Sequence, residues 1–164
     1  GKGMPIKGMP LGNLTSQFFA NVYLNELDYF VKHVLKIRYY VRYVDDFVIL
    51  HSSKIQLQEW KSKIDNFLRG HLKLELHPDK SKTILLSHGV DFVGFRNFYC
   101  YRLLRKRNIK AMEKKIENFS KGNISFGKIL EIYQGWRAYA KWGNSYKIKE
   151  KIKRKIIDVI LNKI

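Results

Sequence analysis

The first apolar and polar pattern along the chain is helical. Polar and apolar residues both recur every three to four positions over residues 14–36, which predicts an amphipathic helix whose apolar stripe lies in the core. The polar stripe comprises Asn21, Asn25, Asp28, Lys32 and Lys36, and the apolar stripe comprises Phe19, Tyr23, Leu27, Phe30 and Val34.

Short apolar runs bounded by turn residues predict strands. The runs Tyr39–Val41 and Phe47–Leu50 enclose the pair Asp45-Asp46, which is typical of a β-hairpin over residues 39–51 with two carboxylates at its tip. Alternation or apolar content predicts further short strands at residues 72–76, 83–87, 90–95 and 98–103.

Helical patterns account for most of the remaining chain. Ser53 and Gln56 have the spacing of a capping box that opens a helix over residues 54–70, with Gly70 as its natural stop. From Asn108 onward the pattern is helical again. Breaks or caps that divide it into three helices are expected at Gly122-Asn123, Ser125 and Asn144-Ser145.

Charge changes the picture at the carboxyl-terminal end. The 164 residues are 45% hydrophobic and 14% aromatic, which supports a packed core, but the net charge is +18. Residues 102–164 hold 18 Lys and Arg against 5 Asp and Glu, whereas residues 1–101 hold 14 against 9. Residues 102–164 are the smaller part of the chain and carry most of the excess positive charge. This asymmetry favours a surface that binds nucleic acid over a basic surface that is only solvated.

Other classes of protein are not favoured. The single cysteine, Cys100, excludes an intramolecular disulfide and fits a reducing compartment. The five histidines have no zinc-site spacing, and no apolar run is long enough for a membrane span.

Asp45 and Asp46 are the candidate catalytic residues. Adjacent carboxylates at a rigid turn suit Mg²⁺, which prefers oxygen ligands. Two such ions about 4 Å apart can hold the attacking and leaving oxygens of a phosphoryl transfer. An Asp-Asp pair in an arbitrary turn is more often only solvated. The flanking sequence is therefore needed to distinguish a metal site from an ordinary turn.

The flanking sequence resembles the reverse transcriptase family. Tyr43-Val44-Asp45-Asp46 resembles the Tyr-x-Asp-Asp motif, which is motif C of the polymerase palm. Further segments follow the family's order: residues 8–17 (GMPLGNLTSQ) resemble motif B, residues 76–83 (LHPDKSKT) motif D, residues 89–95 (GVDFVGF) motif E, and residues 133–139 and 142–146 (YQGWRAY and WGNSY) the thumb of bacterial retroelement enzymes.

The resemblance implies an α+β fold in two parts. Residues 1–103 would be the carboxyl-terminal part of a polymerase palm, an antiparallel sheet with helices, and residues 104–164 a basic helical thumb. Motif A, with its further carboxylate and the residue that screens the sugar 2′-hydroxyl, and the fingers are not found in the sequence. We therefore expect part of a longer RNA-directed DNA polymerase that is inactive by itself.

The resemblance also implies roles for individual residues. Asp45 and Asp46 would hold two Mg²⁺, or Mn²⁺, ions, and Lys82 either protonates the leaving pyrophosphate or is one more surface lysine. The implied partners are template RNA, an RNA–DNA hybrid and deoxynucleoside triphosphates. The residues implied to contact them are Pro10, Leu11, Gly12, Ser16 and Gln17 for nucleotide and template, Val93, Gly94 and Phe95 for the primer grip, and Arg137, Lys141, Asn144 and Lys147 for the duplex.

Aromatic residues recur every three positions in the thumb-like segment. Tyr133, Trp136, Tyr139 and Trp142 are expected to pack the helix against its neighbours, with one or two of them reaching the minor groove of the duplex. In the motif E segment, the residues Val93-Gly94-Phe95 are equally well explained by an ordinary β-turn without a role in binding the primer.

Motif B departs from the commonest pattern at two positions. Leu11 stands where most reverse transcriptases have Gln, and Gln17 stands where they have Pro. This variant is similar to that of diversity-generating retroelement enzymes, which copy a template RNA with frequent errors at adenine and work with a small basic accessory protein. Group II intron-type or other bacterial retroelement enzymes are the alternative, and a non-catalytic RNA-binding palm–thumb module is an alternative of another class. Each implies a cytoplasmic protein of a bacterium, archaeon or phage.

Overall fold

The computed structural model of the protein describes residues 14–162, and the chain divides into two compact units between Thr83 and Ile84. We call them the amino-terminal unit and the carboxyl-terminal unit. Helices and small antiparallel sheets make up both units, which confirms the predicted α+β class. The palm–thumb boundary at residues 103/104 is a functional assignment and stays a prediction.

The amino-terminal unit consists of two helices and a β-hairpin. Its elements are α1 (Leu14–Tyr29, continued by a π-helical turn Phe30–Val34), β1 (Tyr40–Tyr43), β2 (Asp46–Ile49) and α2 (Lys54–Phe67, continued by a π-helical turn Leu68–Leu72). The strands pair antiparallel and leave a two-residue loop, as the sequence predicted for residues 39–51. The Ser53 hydroxyl accepts a hydrogen bond from the Gln56 amide at 3.2 Å, which confirms the predicted cap of α2.

The core of the amino-terminal unit uses only part of the predicted apolar stripe of α1. Leu27 is buried and Phe30 is half-buried, whereas Phe19, Tyr23 and Val34 are exposed, so the prediction of a continuous core stripe is wrong. The reason is that α1 contributes to the core only through its carboxyl-terminal half, which packs on α2 and the hairpin. The core residues are Leu27, Val31, Ile37, Ile64, Leu68 and Leu72.

Two predicted strands, at residues 72–76 and 83–87, do not form. Helix α2 does not stop at Gly70 but continues to Leu72, and Lys73 with φ of 51° ends it in the left-handed conformation. The Leu74 amide then donates to the Leu68 carbonyl at 3.1 Å, so this backbone closes a helix instead of pairing with a strand.

The carboxyl-terminal unit places a small sheet against three helices. Its elements are β3 (Val90–Phe92), β4 (Phe95–Asn97), β5 (Arg102–Leu104), α3 (Lys106–Ser120), α4 (Phe126–Ala140) and α5 (Tyr146–Leu161), and a short 3₁₀ turn spans Leu86–His88. The strands lie in the antiparallel order β3-β4-β5. The turn between β4 and β5 carries the exposed Cys100, and Phe98 and Tyr101 stack beside it with ring centroids 4.6 Å apart.

The three predicted carboxyl-terminal helices form, and their caps differ. The Ser125 hydroxyl accepts from the Lys128 amide at 3.3 Å and caps α4, as predicted. Ser145 does not cap α5 with its side chain, because its buried hydroxyl donates to the Ala140 carbonyl. The helices meet in an apolar core of Met112, Ile116, Phe119, Ile129, Ile152 and Ile156. Within residues 14–162, no helix is both long and apolar enough to cross a membrane.

Candidate functional site

The predicted carboxylates lie at the tip of the β1–β2 hairpin. Tyr43 and Asp46 form the last strand pair, so that Val44 and Asp45 make the loop, and both aspartates are exposed. Val44 has φ of 56°, as the first loop residue of a type II′ turn requires, where glycine is usual. A β-branched residue in this region costs about 1–3 kcal/mol, so other contacts must hold the turn.

Arg42 supplies those contacts. Its Nη1 donates to the Val44 carbonyl at 2.6 Å, while Nε and Nη2 donate to the two carboxylate oxygens of Asp28 on α1 at 2.8 and 2.6 Å. The Tyr40 hydroxyl also donates to Asp28 Oδ1 at 2.6 Å, and Arg42 Nη1 reaches Asn21 Oδ1 at 3.0 Å. We call this network the Arg42 clamp, and it fastens the carboxylate-bearing turn to α1.

The Arg42 clamp holds a half-buried charged pair, with 11% of the Arg42 side chain and 30% of the Asp28 side chain exposed. Burial tends to raise the pKa of Asp28, but the hydrogen bonds from Arg42 and Tyr40 outweigh it and leave that pKa below its ordinary value. Burial and the bond to Asp28 raise the pKa of Tyr40. Asp28 is therefore ionised and held by Arg42 and Tyr40, and it does not form a group of three possible metal ligands with Asp45 and Asp46.

The donor set at the hairpin tip fits a hard divalent cation in kind. Asp45 and Asp46 offer carboxylate oxygens to solvent, which Mg²⁺ prefers, and such sites are often completed by water and substrate phosphates. In the part of the chain that the structure describes, no group of three or more His, Cys, Asp or Glu is placed to hold a metal ion. These two aspartates are thus the side chains that would bind it.

The other predicted residues of the amino-terminal unit are placed separately. Ser16, half-buried, and Gln17, exposed, lie in the first turn of α1, whereas Pro10, Leu11 and Gly12 fall outside the described residues. Lys82 is exposed in the irregular segment after α2. Lys61 on α2 donates to the Ser81 carbonyl and anchors this segment next to Lys82.

The predicted primer grip is the turn between β3 and β4. Val93 and Gly94 form its loop with φ of 47° and 80°, which is the type I′ pattern. Asn108 Nδ2 donates to the Gly94 carbonyl at 3.3 Å and to the Tyr139 hydroxyl at 3.2 Å. A Cβ on Gly94 would lie 2.0 Å from the Tyr139 hydroxyl, so only glycine fits against this helix.

Exposure separates the three predicted grip residues. Val93 is 46% exposed and Gly94 is half-buried, whereas Phe95 is only 6% exposed. The Phe95 side chain therefore belongs to the core, and the turn would present the Val93 side chain and backbone to a ligand. Hydrogen bonding to Arg96, which outweighs burial, and the charges of Arg105 and Arg107 keep the pKa of Asp91 on β3 below its ordinary value.

The predicted duplex-binding residues are all exposed. They lie at the end of α4, in the following loop and in the first turn of α5: Arg137, Lys141, Asn144 and Lys147. Among the aromatics between and before them, Tyr133, Trp136 and Tyr139 pack against core residues as predicted. Trp142 differs, since 67% of it is exposed.

Sequence reasoning missed the residues that hold the two turns. Arg42 shares a strand face with Tyr40 by simple alternation, and Asp28 lies on the polar stripe of α1. The sequence therefore contains some indication of a polar contact between this strand face and α1. Asn108 and Tyr139 lie 31 residues apart and had no local signal.

Comparison with known proteins identifies the family of the chain. Residues 2–97 match the family model described as "Reverse transcriptase (RNA-dependent DNA polymerase)", a match that includes both turns. Protein YkfC of Escherichia coli (strain K12) is 28% identical, over 62% of this chain and 34% of that protein. The chain thus spans about a third of the length of this curated relative.

Proposed function

The chain belongs to the reverse transcriptase (RNA-dependent DNA polymerase) family, and from this we propose that Asp45 and Asp46 are the catalytic carboxylates of an RNA-directed DNA polymerase. The observation that carries the proposal is that the matched region presents both carboxylates to solvent at the tip of a hairpin held by the Arg42 clamp. Residues 1–103 would contribute to the palm and residues 104–164 would form the thumb.

Residues of this chain would bind the metal ions, hold the catalytic turn in place and donate a proton. Asp45 and Asp46 would hold two Mg²⁺ ions, which when bound stabilise the charge that develops during nucleotidyl transfer. The Arg42 clamp would hold the turn in place before substrate arrives, so that little ordering is needed on binding. Lys82 would donate a proton to the leaving pyrophosphate.

The partners would be template RNA, the RNA–DNA hybrid and deoxynucleoside triphosphates. The exposed Val93-Gly94 turn supports contact with the primer end, and the exposed Arg137, Lys141 and Lys147 support contacts with duplex phosphates. Because each neutralised phosphate releases counterions, affinity for the hybrid should fall steeply with salt, and replacing Lys141 and Lys147 by Gln should reduce that slope by about two.

The test of catalysis is Asp45→Asn in the protein expressed at its full natural length. Magnesium-dependent cDNA synthesis should be abolished, while thermal unfolding and hybrid binding stay unchanged. Asp158→Asn, which removes an exposed aspartate of α5 outside the assigned motifs, is the matched control and should retain activity. Substantial synthesis by Asp45→Asn would refute the assignment. Hybrid binding without synthesis by the wild type would favour a non-catalytic RNA-binding module.

For the subfamily, we propose a diversity-generating retroelement enzyme that works with a small basic accessory protein. Leu11 and Gln17 in motif B support this over a group II intron-type enzyme. A Gln at position 11 could hydrogen-bond near the nascent base pair, worth about 0.5–1.5 kcal/mol, and Leu cannot. Leu11→Gln should therefore lower misincorporation opposite template adenine a few-fold, measured by sequencing cDNA from a defined RNA. An unchanged error rate at adenine would remove this support.

A further inference from the structure

A series of ring–ring and cation–π contacts leads from the core of the carboxyl-terminal unit to the exposed Trp142. The rings of Tyr139 and Phe95 stack with centroids 4.9 Å apart at 30°. The guanidinium carbon of Arg102 lies 5.3 Å from the Phe95 ring centroid and 5.9 Å from that of Trp142, so the same cation contacts both rings. Phe95 is 6% exposed and Trp142 is 67% exposed, which makes Trp142 the outer layer.

The backbone around Trp142 is fixed by contacts with β5. Arg102 Nε donates to the Trp142 carbonyl, and the Asn144 amide donates to the Arg102 carbonyl at 2.8 Å. Gly143 lies so close to Phe95 that an added Cβ would be 3.1 Å from a ring carbon. The backbone that carries Trp142 is therefore held against the strand before any ligand arrives, with Arg102 in contact with the indole.

Trp142 has cationic neighbours, and exposed aromatic rings occur in the turn that precedes Arg102. Arg102 lies behind the indole, the exposed Lys141 precedes it, and Tyr99 and Tyr101 in the turn before Arg102 are 89% and 46% exposed. Exposed aromatic rings in a positively charged setting are the means by which proteins bind single-stranded nucleic acid, because every base has a face that can stack. Bases inside a duplex hide their faces against their neighbours, so an unpaired base is the occupant that fits.

We propose that Trp142 is a stacking site for a base of a single-stranded segment of RNA or DNA, adjacent in the chain to the proposed duplex contact Lys141. The proposal rests on the proposed function only for the class of its partner. The Trp142 site would therefore bind a segment of nucleic acid before it enters a duplex or after it has left one.

The test measures the affinity of the full natural-length protein for oligouridylate, oligothymidylate and a blunt RNA–DNA hybrid. Loss of one base–aromatic stack weakens binding about 5- to 150-fold, so Trp142→Ala should raise the Kd for one or both single strands by that factor. The Kd for the blunt hybrid should change less than about twofold, since the duplex contacts are mainly ionic. Comparing the two single strands shows whether the site takes RNA, DNA or both.

Matched variants separate stacking from loss of charge or of surface. Trp142→Tyr keeps an aromatic face and should recover most of the affinity, and Arg102→Lys keeps the charge but removes the planar layer and should lose part of it. Phe126→Ala removes another exposed ring, 53% exposed and about 20 Å away at the other end of α4, and should change no Kd. Circular dichroism confirms that each variant is folded.

A second readout does not depend on substitution. Oligouridylate that carries 5-iodouracil should crosslink to Trp142 on irradiation, and mass spectrometry locates the adduct. Absence of that adduct, an unchanged single-strand Kd in Trp142→Ala, or equal losses for single strand and blunt hybrid would each overturn the proposal. If the wild type makes no cDNA while these results hold, only the proposed polymerase function fails.

Discussion

The two hairpin turns Val44-Asp45 and Val93-Gly94 begin with the same unfavourable residue and are held in different ways. Each starts with a valine of positive φ, 56° and 47°, where a β-branched side chain is strained. The first turn is held by a guanidinium, through the Arg42 clamp, and the second by the fit of Gly94 against Tyr139 and Asn108.

The difference follows from what each turn must expose. Asp45 and Asp46 are exposed to solvent, so the turn that carries them cannot be covered and is held by the hydrogen bond from Arg42 to the Val44 carbonyl. The Val93-Gly94 turn presents mainly backbone, so a helix can pack directly against it. The first turn should therefore respond to charge and pH, and the second to side-chain volume.

The largest effect is expected from Gly94→Ala. The left-handed backbone costs an alanine about 1–2 kcal/mol, and displacement of Tyr139 adds a further 1–3 kcal/mol, so the free energy of unfolding should fall by about 3 kcal/mol. Gly122→Ala is the matched control, because Gly122 has φ of 78° and open space around its Cα; it should lose only about 1 kcal/mol. Denaturant unfolding measures both. Equal losses would mean that packing against Tyr139 does not restrict the turn.

Arg42→Ala tests the other turn. It leaves Asp28 half-buried without its ionic partner and frees the Val44 carbonyl, which should cost about 2–3 kcal/mol and lower cDNA synthesis. Arg42→Lys keeps the charge without the fork and should recover part of the stability but little of the activity. Arg69→Ala, which breaks a more exposed pair with Asp65, should cost no more than about 1 kcal/mol. If Arg42→Ala and Arg69→Ala behave alike, the Arg42 clamp is only a surface ion pair.

The next largest effect is expected in how stability depends on pH, which should involve the first turn and not the second. Since the pKa of Asp28 is lower in the folded protein than its ordinary 3.8, its stabilising contribution is present above about pH 4 and is lost as the pH falls through the folded value. Asp28→Asn should cost about 1–2 kcal/mol at neutral pH and flatten the loss of stability towards acid. Unfolding from about pH 6 to pH 3 measures this. An acid profile identical to that of the wild type would show that Asp28 does not link the first turn to pH.

The smallest effect is expected from relieving the strained valines. Asn-Gly is the preferred type I′ loop, so Val93→Asn should stabilise the protein by up to about 1 kcal/mol. Val44→Gly should gain a similar amount, because glycine is preferred at the first position of a type II′ loop. A loss of stability in either variant, measured by the denaturant midpoint, would show that the valine side chain contributes packing that outweighs its backbone strain.

The hairpin and its carboxylates could be predicted from the sequence because their signals are local. The apolar runs on both sides of Asp45-Asp46 have the period of strands, and both aspartates lie where that pattern breaks. The contacts that hold the turn could not be predicted in the same way. The bond between Arg42 and Asp28 depends on how α1 packs on β1, and the fit of Gly94 depends on Tyr139, 45 residues further along the chain.

Helix ends show the same limit. Gly70 has the residue type of a stop, yet α2 widens into a π-helical turn and closes at Lys73, because Leu68 and Leu72 are both buried in the core. Propensity favoured an earlier end, and packing of two leucines overrode it. As a result, the alternating leucines at positions 72, 74 and 76 do not form the strand that the sequence predicted.

The turn between β4 and β5 gives the molecule a chemical handle. Cys100 is the one cysteine of the 164 residues, it is exposed, and only Tyr101 separates it from Arg102. A thiol-reactive fluorophore would therefore label these 164 residues at a single position, and its emission would report on occupancy near Trp142.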